Sequence, residues 1–345
     1  MSQPASRGLS AFTQQLLVAV LALIWLVLVI YLLREFAVVL KPLFIAGFLS
    51  YLIIPAHHWL VERGINRPLA AVVLVFLVIG VFISIGILLY ANAETLLEKW
   101  PQYQLKWRVK TESLRDVLPE YIQEHLHLQQ FDSKSASSMI QSVLGSFFNF
   151  LTVAAVVILY LCFLLAERAS FPKKLLHAFG PERSENIRDV LTSISKAISE
   201  YIRVKTFISL ITGIGTAIIL TVFGVDFPIT WGTLAFLLNF IPYLGSMLAT
   251  VLPVLLALVQ FDSIWTTLIV GSLLVVYQQF LGVIVEPRLA GAKLGVSPLL
   301  IILSLAFWGV VWGIVGMLLA VPLLMVIKIV LGNIPATKPV AVLLE

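Results

Sequence analysis

Polar residues inside long apolar stretches are the first candidates for chemistry, because unpaired polar groups are costly within a bilayer. Asn239 lies in the stretch LLNFIPYLG, where Pro242 and Gly245 follow it. The proline frees a backbone carbonyl, the glycine permits close approach of another segment, and the amide can donate and accept hydrogen bonds. We therefore predict a broken helix that lines a substrate-binding cavity. The alternative is a proline kink in which Asn239 bonds to a neighbouring helix.

Two more candidate groups occur in the next apolar stretch. Gln278 and Gln279 are adjacent, and helical neighbours point about 100° apart, so one of them is expected to face the bundle interior. Glu286 and Arg288 flank Pro287 where the stretch ends. They form either a structural ion pair at the membrane interface or a pair that binds substrate or passes a proton.

A third group shares one face of a helix. Tyr201, Lys205, Ser209 and Gly213 are spaced four residues apart, on a segment that enters the membrane. Lys205 either extends towards the interface or takes part in gating or coupling together with its neighbours. Asp226, farther along the chain, is a second acidic candidate for ion coupling.

Glycines are concentrated in a later apolar run. Gly309 and Gly313 form a GxxxG pair, which is typical of close helix packing in membranes. Together with Gly316 they are expected to permit helix movement during gating.

Motifs for ATP hydrolysis and metal catalysis are absent from the sequence. It contains neither G-x-x-x-x-G-K-[ST] nor H-E-x-x-H. His125 and His127 lie near Glu120 and Glu124, a pattern more typical of a solvated polar face than of a metal site. We predict that the protein is not an enzyme and uses no cofactor or metal, so that any active transport is secondary or depends on another subunit.

The composition identifies a polytopic integral membrane protein. Hydrophobic residues make up 60% of the 345 residues and charged residues only 12%, with a mean hydropathy of +1.02. These values exclude a disordered chain, a nucleic-acid-binding protein and a secreted disulfide scaffold. The net charge of +5 is concentrated in particular loops and is better explained by membrane orientation. The single cysteine, Cys162, lies in an apolar run and is expected to be a small buried hydrophobic residue rather than a reactive thiol.

Apolar runs predict an all-α transmembrane bundle with about eight membrane segments. Six runs have the length of ordinary spans: residues 16–33, 38–60, 69–91, 143–166, 207–225 and 263–285. Two runs, 227–261 and 294–327, would each be about 50 Å long as one helix, against roughly 30 Å of hydrocarbon. Each is therefore a hairpin, a broken helix or a strongly tilted helix. Hairpins are favoured because they place Arg288 and Lys293 on the cytoplasmic side, where basic residues accumulate.

The chain divides into five parts in this interpretation. They are three spans (1–91), an extramembrane helical segment (92–141), a fourth span (142–166), a cytoplasmic amphipathic region (167–206) and a C-terminal transport core with broken helices (207–345). The amphipathic helix is expected to start at Gly180-Pro181-Glu182 and to lie along the membrane interface or pack under the bundle.

The two long runs also share a pattern. Leu-Ala-Phe occurs at 234–236 and at 305–307, and a glycine, an alanine and a proline follow it in each run. The similarity is either due to chance or indicates paired repeats that meet at a site in the membrane midplane.

Three segments of the C-terminal half resemble the autoinducer-2 exporter family of bacterial permease-like proteins, and they follow the segment 201–213 in the family's order. They are LAFLLNFIPYLG (234–245), IVEPRLAGAKLGVSP (284–298) and SLAFWGVVWGIVGMLLAVP (304–322). The resemblance implies a multi-pass protein of the bacterial inner membrane, and the distribution of basic residues places both termini on the cytoplasmic side. The resemblance also implies a homo-oligomer, with a pentamer as one expected form.

Three functions remain open at this stage. The first is a secondary exporter of a small polar molecule such as the quorum-sensing signal autoinducer-2, which the resemblance implies, with transport coupled to protons or sodium. The second is a sodium/proton antiporter, in which Glu286, Asp226 or Lys205 must titrate. The third is a scaffold that assembles membrane complexes through residues 92–141 and transports nothing.

Overall fold

The computed structural model describes residues 11–115, 133–167, 170–290, 295–335 and 337–344, and every regular element in these ranges is helical. The first part of the chain forms α1 (Ala11–Glu35), α2 (Ala37–Glu62), α3 (Arg67–Arg115) and α4 (Ser133–Glu167). The second part forms α5 (Phe171–Val222), α6 (Pro228–Leu238), α7 (Leu244–Gln260), α8 (Ile264–Gln279), the π-helix π1 (Phe280–Val285), α9 (Glu286–Ala290), α10 (Pro298–Trp312), α11 (Ile314–Asn333) and α12 (Lys338–Leu343).

Seven helices in the described ranges are long and apolar enough to cross a membrane, and the all-α polytopic fold is confirmed. They match the six predicted ordinary spans and the second half of the run 294–327. The remaining apolar helices, α6, α7 and α10, are shorter. α6 has 11 residues and is therefore only about 16 Å long, about half of the hydrocarbon thickness.

The run 227–261 forms a helical hairpin, here called the α6–α7 hairpin. Its turn lies at residues 239–243. At its open end, Gln260, the last residue of α7, contacts the segment that leads into α6. The Gln260 amide donates to the carbonyl of Gly224 at 2.7 Å and accepts from the backbone N–H of Asp226 at 2.8 Å. Gly245 is needed near the turn, because a Cβ there would overlap the carbonyl oxygen of Leu238.

The run 294–327 forms a second hairpin, the α10–α11 hairpin, which turns at Gly313. This glycine has φ 68° and ψ −144°, a conformation that side-chain-bearing residues rarely adopt. Across the hairpin, the Ser304 hydroxyl donates to the Ala320 carbonyl at 3.0 Å. Gly316 permits the helices to touch, because a Cβ there would overlap the carbonyl oxygen of Trp308.

The two hairpins open in opposite directions along α5. The open end of the α6–α7 hairpin lies beside Asp226, just beyond the last residue of α5. The open end of the α10–α11 hairpin lies beside the first half of α5, where Val326 and Ile329 pack against a cluster that contains Ile194 and Ile198. We call the two ends of the bundle the Asp226 end and the Glu286 end.

α5 is a long helix with one break. At Gly180 (φ 74°, ψ 174°) the backbone leaves the helical conformation, and Pro181 begins the longer part that continues to Val222. The apolar face predicted for this region packs against α2 and α11 through Ile194 and Ile198. The location of this helix relative to the membrane interface stays a prediction, and the predicted boundary at residue 206 falls inside α5.

Candidate solute-binding site

A cavity of about 860 Å³ lies where the turn of the α6–α7 hairpin meets α5, the end of α8, π1 and the start of α10. We call it the Asn239 cavity. Its walls are mostly apolar, with a few polar groups that converge from different helices, which is the usual make-up of a small-molecule site. The structure brings together here the predicted residues Asn239, Pro242, Gln278, Gln279, Glu286, Tyr201 and Lys205.

An ion pair stands at one side of the Asn239 cavity. The Lys205 ammonium donates to Glu286 Oε1 at 2.6 Å, and the two side chains are 5% and 30% exposed. The predicted pairing of Glu286 with Arg288 is wrong, since among the described residues Glu286 pairs with Lys205 and Arg288 is exposed. The extension of Lys205 to the interface is not seen either, because its ammonium is buried and pairs with a partly exposed carboxylate 81 residues away in sequence.

The turn of the α6–α7 hairpin supplies the opposite wall. Asn239 is 8% exposed, and its amide donates to the Ser209 hydroxyl at 3.0 Å. Asn239 thus bonds to a neighbouring helix and also lines the cavity, and substrate binding there stays a prediction. Tyr243 has φ 62° and ψ −56°, although it is not glycine, and its side chain is 58% exposed. Strain of this kind persists only where the surrounding structure enforces it, and it is common at ligand sites.

Gln278 carries an unused donor. It is 7% exposed and lines the Asn239 cavity, and its Nε2 has no hydrogen-bond partner among the described residues. Such a group costs about 1–3 kcal/mol unless a solute or water accepts from it. Gln279 also lines the cavity, and π1 follows it directly. A π-turn is rare and frequently marks a functional site, because it changes which helix face the next residues occupy.

Sequence comparison identifies related proteins along nearly the whole chain. Residues 17–336 match the profile of the AI-2E family transporters. The chain belongs to the AI-2E transporter family. The AI-2 transport protein TqsA of Escherichia coli strain K12 is 30% identical over 93% of this chain and 93% of its own length. A protein of Borreliella burgdorferi is 32% identical over 89% of this chain and 84% of its own, and YhhT of E. coli K12 is 30% identical over 89% and 88%. These two carry only provisional names as transport proteins.

Family membership and the apolar helices together establish an integral membrane protein of a transporter family. The match spans both halves of the chain, whereas the sequence motifs with specific likeness lie in the C-terminal half. The Asn239 cavity lies within that half, since none of its described lining residues belongs to α1–α4.

One face of α5 positions the α6–α7 hairpin in this family member. Ser209 bonds to Asn239, and Gly213 lies against α6, where a Cβ would overlap Gly232 and Phe236. Tyr201 and Lys205 continue the same face into the cavity. The four-residue spacing thus predicted a shared surface, and the structure shows that the surface faces the hairpin.

Asp226 lies outside the cavity, at the opposite end of the bundle. Its carboxylate accepts from the Tyr103 hydroxyl at 2.5 Å and pairs with Lys99 at 3.1 Å. Lys106 and Lys110, farther along the same face of α3, donate to carbonyls at the end of α7. Cations favour the carbonyl end of a helix dipole, so these contacts fix the open end of the hairpin. These contacts were not predicted from the sequence, although Lys99, Tyr103, Lys106 and Lys110 have the i, i+4, i+7, i+11 spacing of one helix face.

The remaining candidates lie elsewhere. Gly309 lies against Met317, Gly313 forms the turn of the α10–α11 hairpin, and Gly316 lies against Trp308; none of them lines the Asn239 cavity. Cys162 is exposed rather than buried. His125 and His127 lie outside the described residues.

Proposed function

We propose that this protein is a secondary transporter that exports a small polar molecule, such as autoinducer-2, and binds it in the Asn239 cavity. Membership of the AI-2E family and the similarity to the AI-2 transport protein TqsA support a transported solute of this kind. The observation that carries the assignment of the site is the unused Gln278 donor in a cavity that already contains an ion pair.

The cavity chemistry favours a polar solute without net charge. Lys205 and Glu286 neutralise each other, so a charged solute would have to compete with a short ion pair. A solute oxygen can instead accept from Gln278, and a solute hydroxyl can donate to the carboxylate of Glu286, which is partly exposed.

The short α6–α7 hairpin is the element that we expect to move. Its turn bears Asn239 and Tyr243 and reaches only part of the way across the membrane. Because α7 begins at this turn, its positive dipole end faces the cavity and can stabilise solute oxygens. Displacement of the turn from Ser209 would change the access to the solute while α5 stays in place.

The test is transport by purified protein in liposomes. Proton and sodium gradients are imposed separately, and autoinducer-2 is the first solute. Lys205→Met and Glu286→Gln are each expected to lower flux by about tenfold or more, because each leaves one charge of the cavity without its counter-charge. Lys196→Gln is the matched control, since Lys196 lies on α5, is exposed and does not line the cavity.

The double variant Lys205→Met/Glu286→Gln separates folding from transport. Removal of both charges relieves the penalty of an unpaired buried group, so the double variant is expected to be more stable than either single variant while remaining inactive. Flux at the wild-type level from folded Lys205→Met protein would overturn the assignment of the site.

A sodium/proton antiporter is the second candidate, and the Lys205–Glu286 pair is the observation that favours it. The sequence suggested an uncharged interior, yet Glu286 lies within the candidate span Ile264–Leu289 and Lys205 within Lys173–Val222. The same liposomes without solute distinguish the two functions. Sodium-driven proton movement that Glu286→Gln abolishes would establish the antiporter and exclude obligatory solute export.

A further inference from the structure

A second cavity, of about 940 Å³, lies between α2, α4 and the first part of α5. We call it the Arg188 cavity. One wall carries apolar side chains, including Leu164, Leu165 and Leu191, and Lys173 and Arg188 also line it. No described residue lines both this cavity and the Asn239 cavity, so the two are separate.

The segment of α5 before its break places the mouth of this cavity at the membrane surface. The candidate span of α4 ends at Glu167, and residues 171–179 follow as a short helical segment that ends at the Gly180 break. In this segment Phe171, Leu176 and Phe179 are exposed, beside polar and basic side chains. Exposed apolar side chains interleaved with lysines are typical of a helix that lies in the lipid headgroup region.

The charges around the mouth leave a net positive site. Glu167 accepts from Lys174 at 2.5 Å and is neutralised. Glu185 also lines the cavity, and it offsets one of the two cations, Lys173 and Arg188. Neither of these cations forms an ion pair among the described residues. Once the Glu167–Lys174 pair is set aside, one excess positive charge remains among the described charged residues that line this cavity.

A phospholipid matches this distribution of groups. Its phosphodiester carries one negative charge and accepts hydrogen bonds from guanidinium and ammonium groups. Its acyl chain would cover the leucine wall, which would otherwise be exposed to water at the mouth. A zwitterionic headgroup brings its own cation and would leave the excess charge in place, whereas an anionic headgroup neutralises it.

We infer that the Arg188 cavity binds an anionic phospholipid, with the phosphate on Lys173 and Arg188 and an acyl chain against Leu164, Leu165 and Leu191. The site is independent of the proposed transport function, because no residue of the Asn239 cavity takes part.

Native mass spectrometry of the full chain tests this inference. Protein is exchanged into detergent that contains equal amounts of phosphatidylglycerol and phosphatidylcholine with identical acyl chains. The wild-type chain is expected to retain phosphatidylglycerol in preference, and Lys173→Gln/Arg188→Gln is expected to reduce this preference by about fivefold or more.

The matched control is Arg183→Gln/Lys196→Gln, which removes the same charge from exposed positions of α5 outside the cavity. It is expected to keep the wild-type preference. An equal loss in both double variants would show only general charge attraction and would overturn the site. Equal retention of the two lipids by the wild-type chain would overturn it as well, even if the variants did not fold.

Two further measurements check the acyl chain and the headgroup. Leu191→Trp is expected to fill the apolar wall and to lower retention of phosphatidylglycerol while both cations remain. Inorganic phosphate at millimolar concentration is expected not to displace the lipid. Displacement by phosphate, together with wild-type retention in Leu191→Trp, would show a free-anion site and refute the lipid.

Discussion

The α6–α7 and α10–α11 hairpins are built alike but have different turns. The α6–α7 turn takes five residues, 239–243, and includes a buried amide and the strained Tyr243. The α10–α11 turn takes one glycine, Gly313, and lies next to Trp312, whose indole N–H donates to the carbonyl of Leu33 at the end of α1. The first turn faces a cavity and the second anchors the hairpin to α1.

The open ends of the hairpins differ as well. Polar contacts from α3 hold the α6–α7 end, through Tyr103 and Lys99 on Asp226 and through lysines on the last carbonyls of α7. The α10–α11 end has apolar contacts with α5 and one lysine contact, from Lys328 to the carbonyl of Gly295. The polar groups at the turn thus distinguish the hairpin that lines a candidate site from the hairpin that is anchored to α1.

The largest effect on stability is expected at the glycine that lets the two helices of each hairpin touch. Gly245→Val and Gly316→Val each place a side chain against a carbonyl oxygen of the partner helix. Overpacking of this kind costs about 1–3 kcal/mol or more, so both variants should give little monodisperse protein and a lower Tm. Gly80→Ala is the control, because no atom lies within 4 Å of a Cβ there. Normal folding of Gly316→Val would show that α10 and α11 leave room for a side chain at residue 316.

Effects of intermediate size are expected from two substitutions, one in each hairpin, that test whether the hairpins differ in function. Asn239→Leu removes the bond to Ser209, and Ser304→Ala removes the bond to Ala320; both residues are 8% exposed and both bonds are 3.0 Å long. Each change should lower the free energy of unfolding by about 1 kcal/mol. Only Asn239→Leu is expected to abolish transport in liposomes. Equal transport by the two variants would remove the distinction between site and anchor.

The smallest effect on transport is expected at the Asp226 end. Tyr103→Phe removes one hydrogen bond from Asp226 but leaves the pair with Lys99, so the stability loss should be about 0.5–1.5 kcal/mol. Thermal unfolding in detergent measures this change, and Tyr31→Phe, at an exposed position of α1, is the control. If Tyr103→Phe abolished transport with no change in Tm, the Asp226 end would take part in transport rather than anchor the hairpin.

Local sequence rules predicted the helices and favoured both hairpins. The runs 227–261 and 294–327 exceed the thickness of a bilayer, so each had to be a hairpin, a broken helix or a strongly tilted helix, and the distribution of basic residues favoured hairpins. The position of Asn239 at a turn followed from the same reasoning, because Pro242 cannot continue a regular helix at that point.

The partners of the charged residues could not be predicted in this way. Glu286 was expected to pair with Arg288, which is two residues away, and instead pairs with Lys205 on another helix. The Asp226 cluster likewise joins Tyr103 and Lys99 of α3 to the start of α6. Sequence spacing describes neighbours on one helix, whereas these pairs depend on which helices lie side by side.

The sequence by itself determined the membrane-spanning α-helical architecture, the two breaks and the candidate polar residues, because hydrophobic length and backbone hydrogen bonding act along the chain. The tertiary structure alone decided that the hairpins open in opposite directions, that Lys205 neutralises Glu286 and that Gln278 keeps an unused donor in a cavity. These features arise from contacts between segments far apart in sequence, and the physical reason is that a buried charge or amide is stabilised by whichever groups packing brings within a few ångströms.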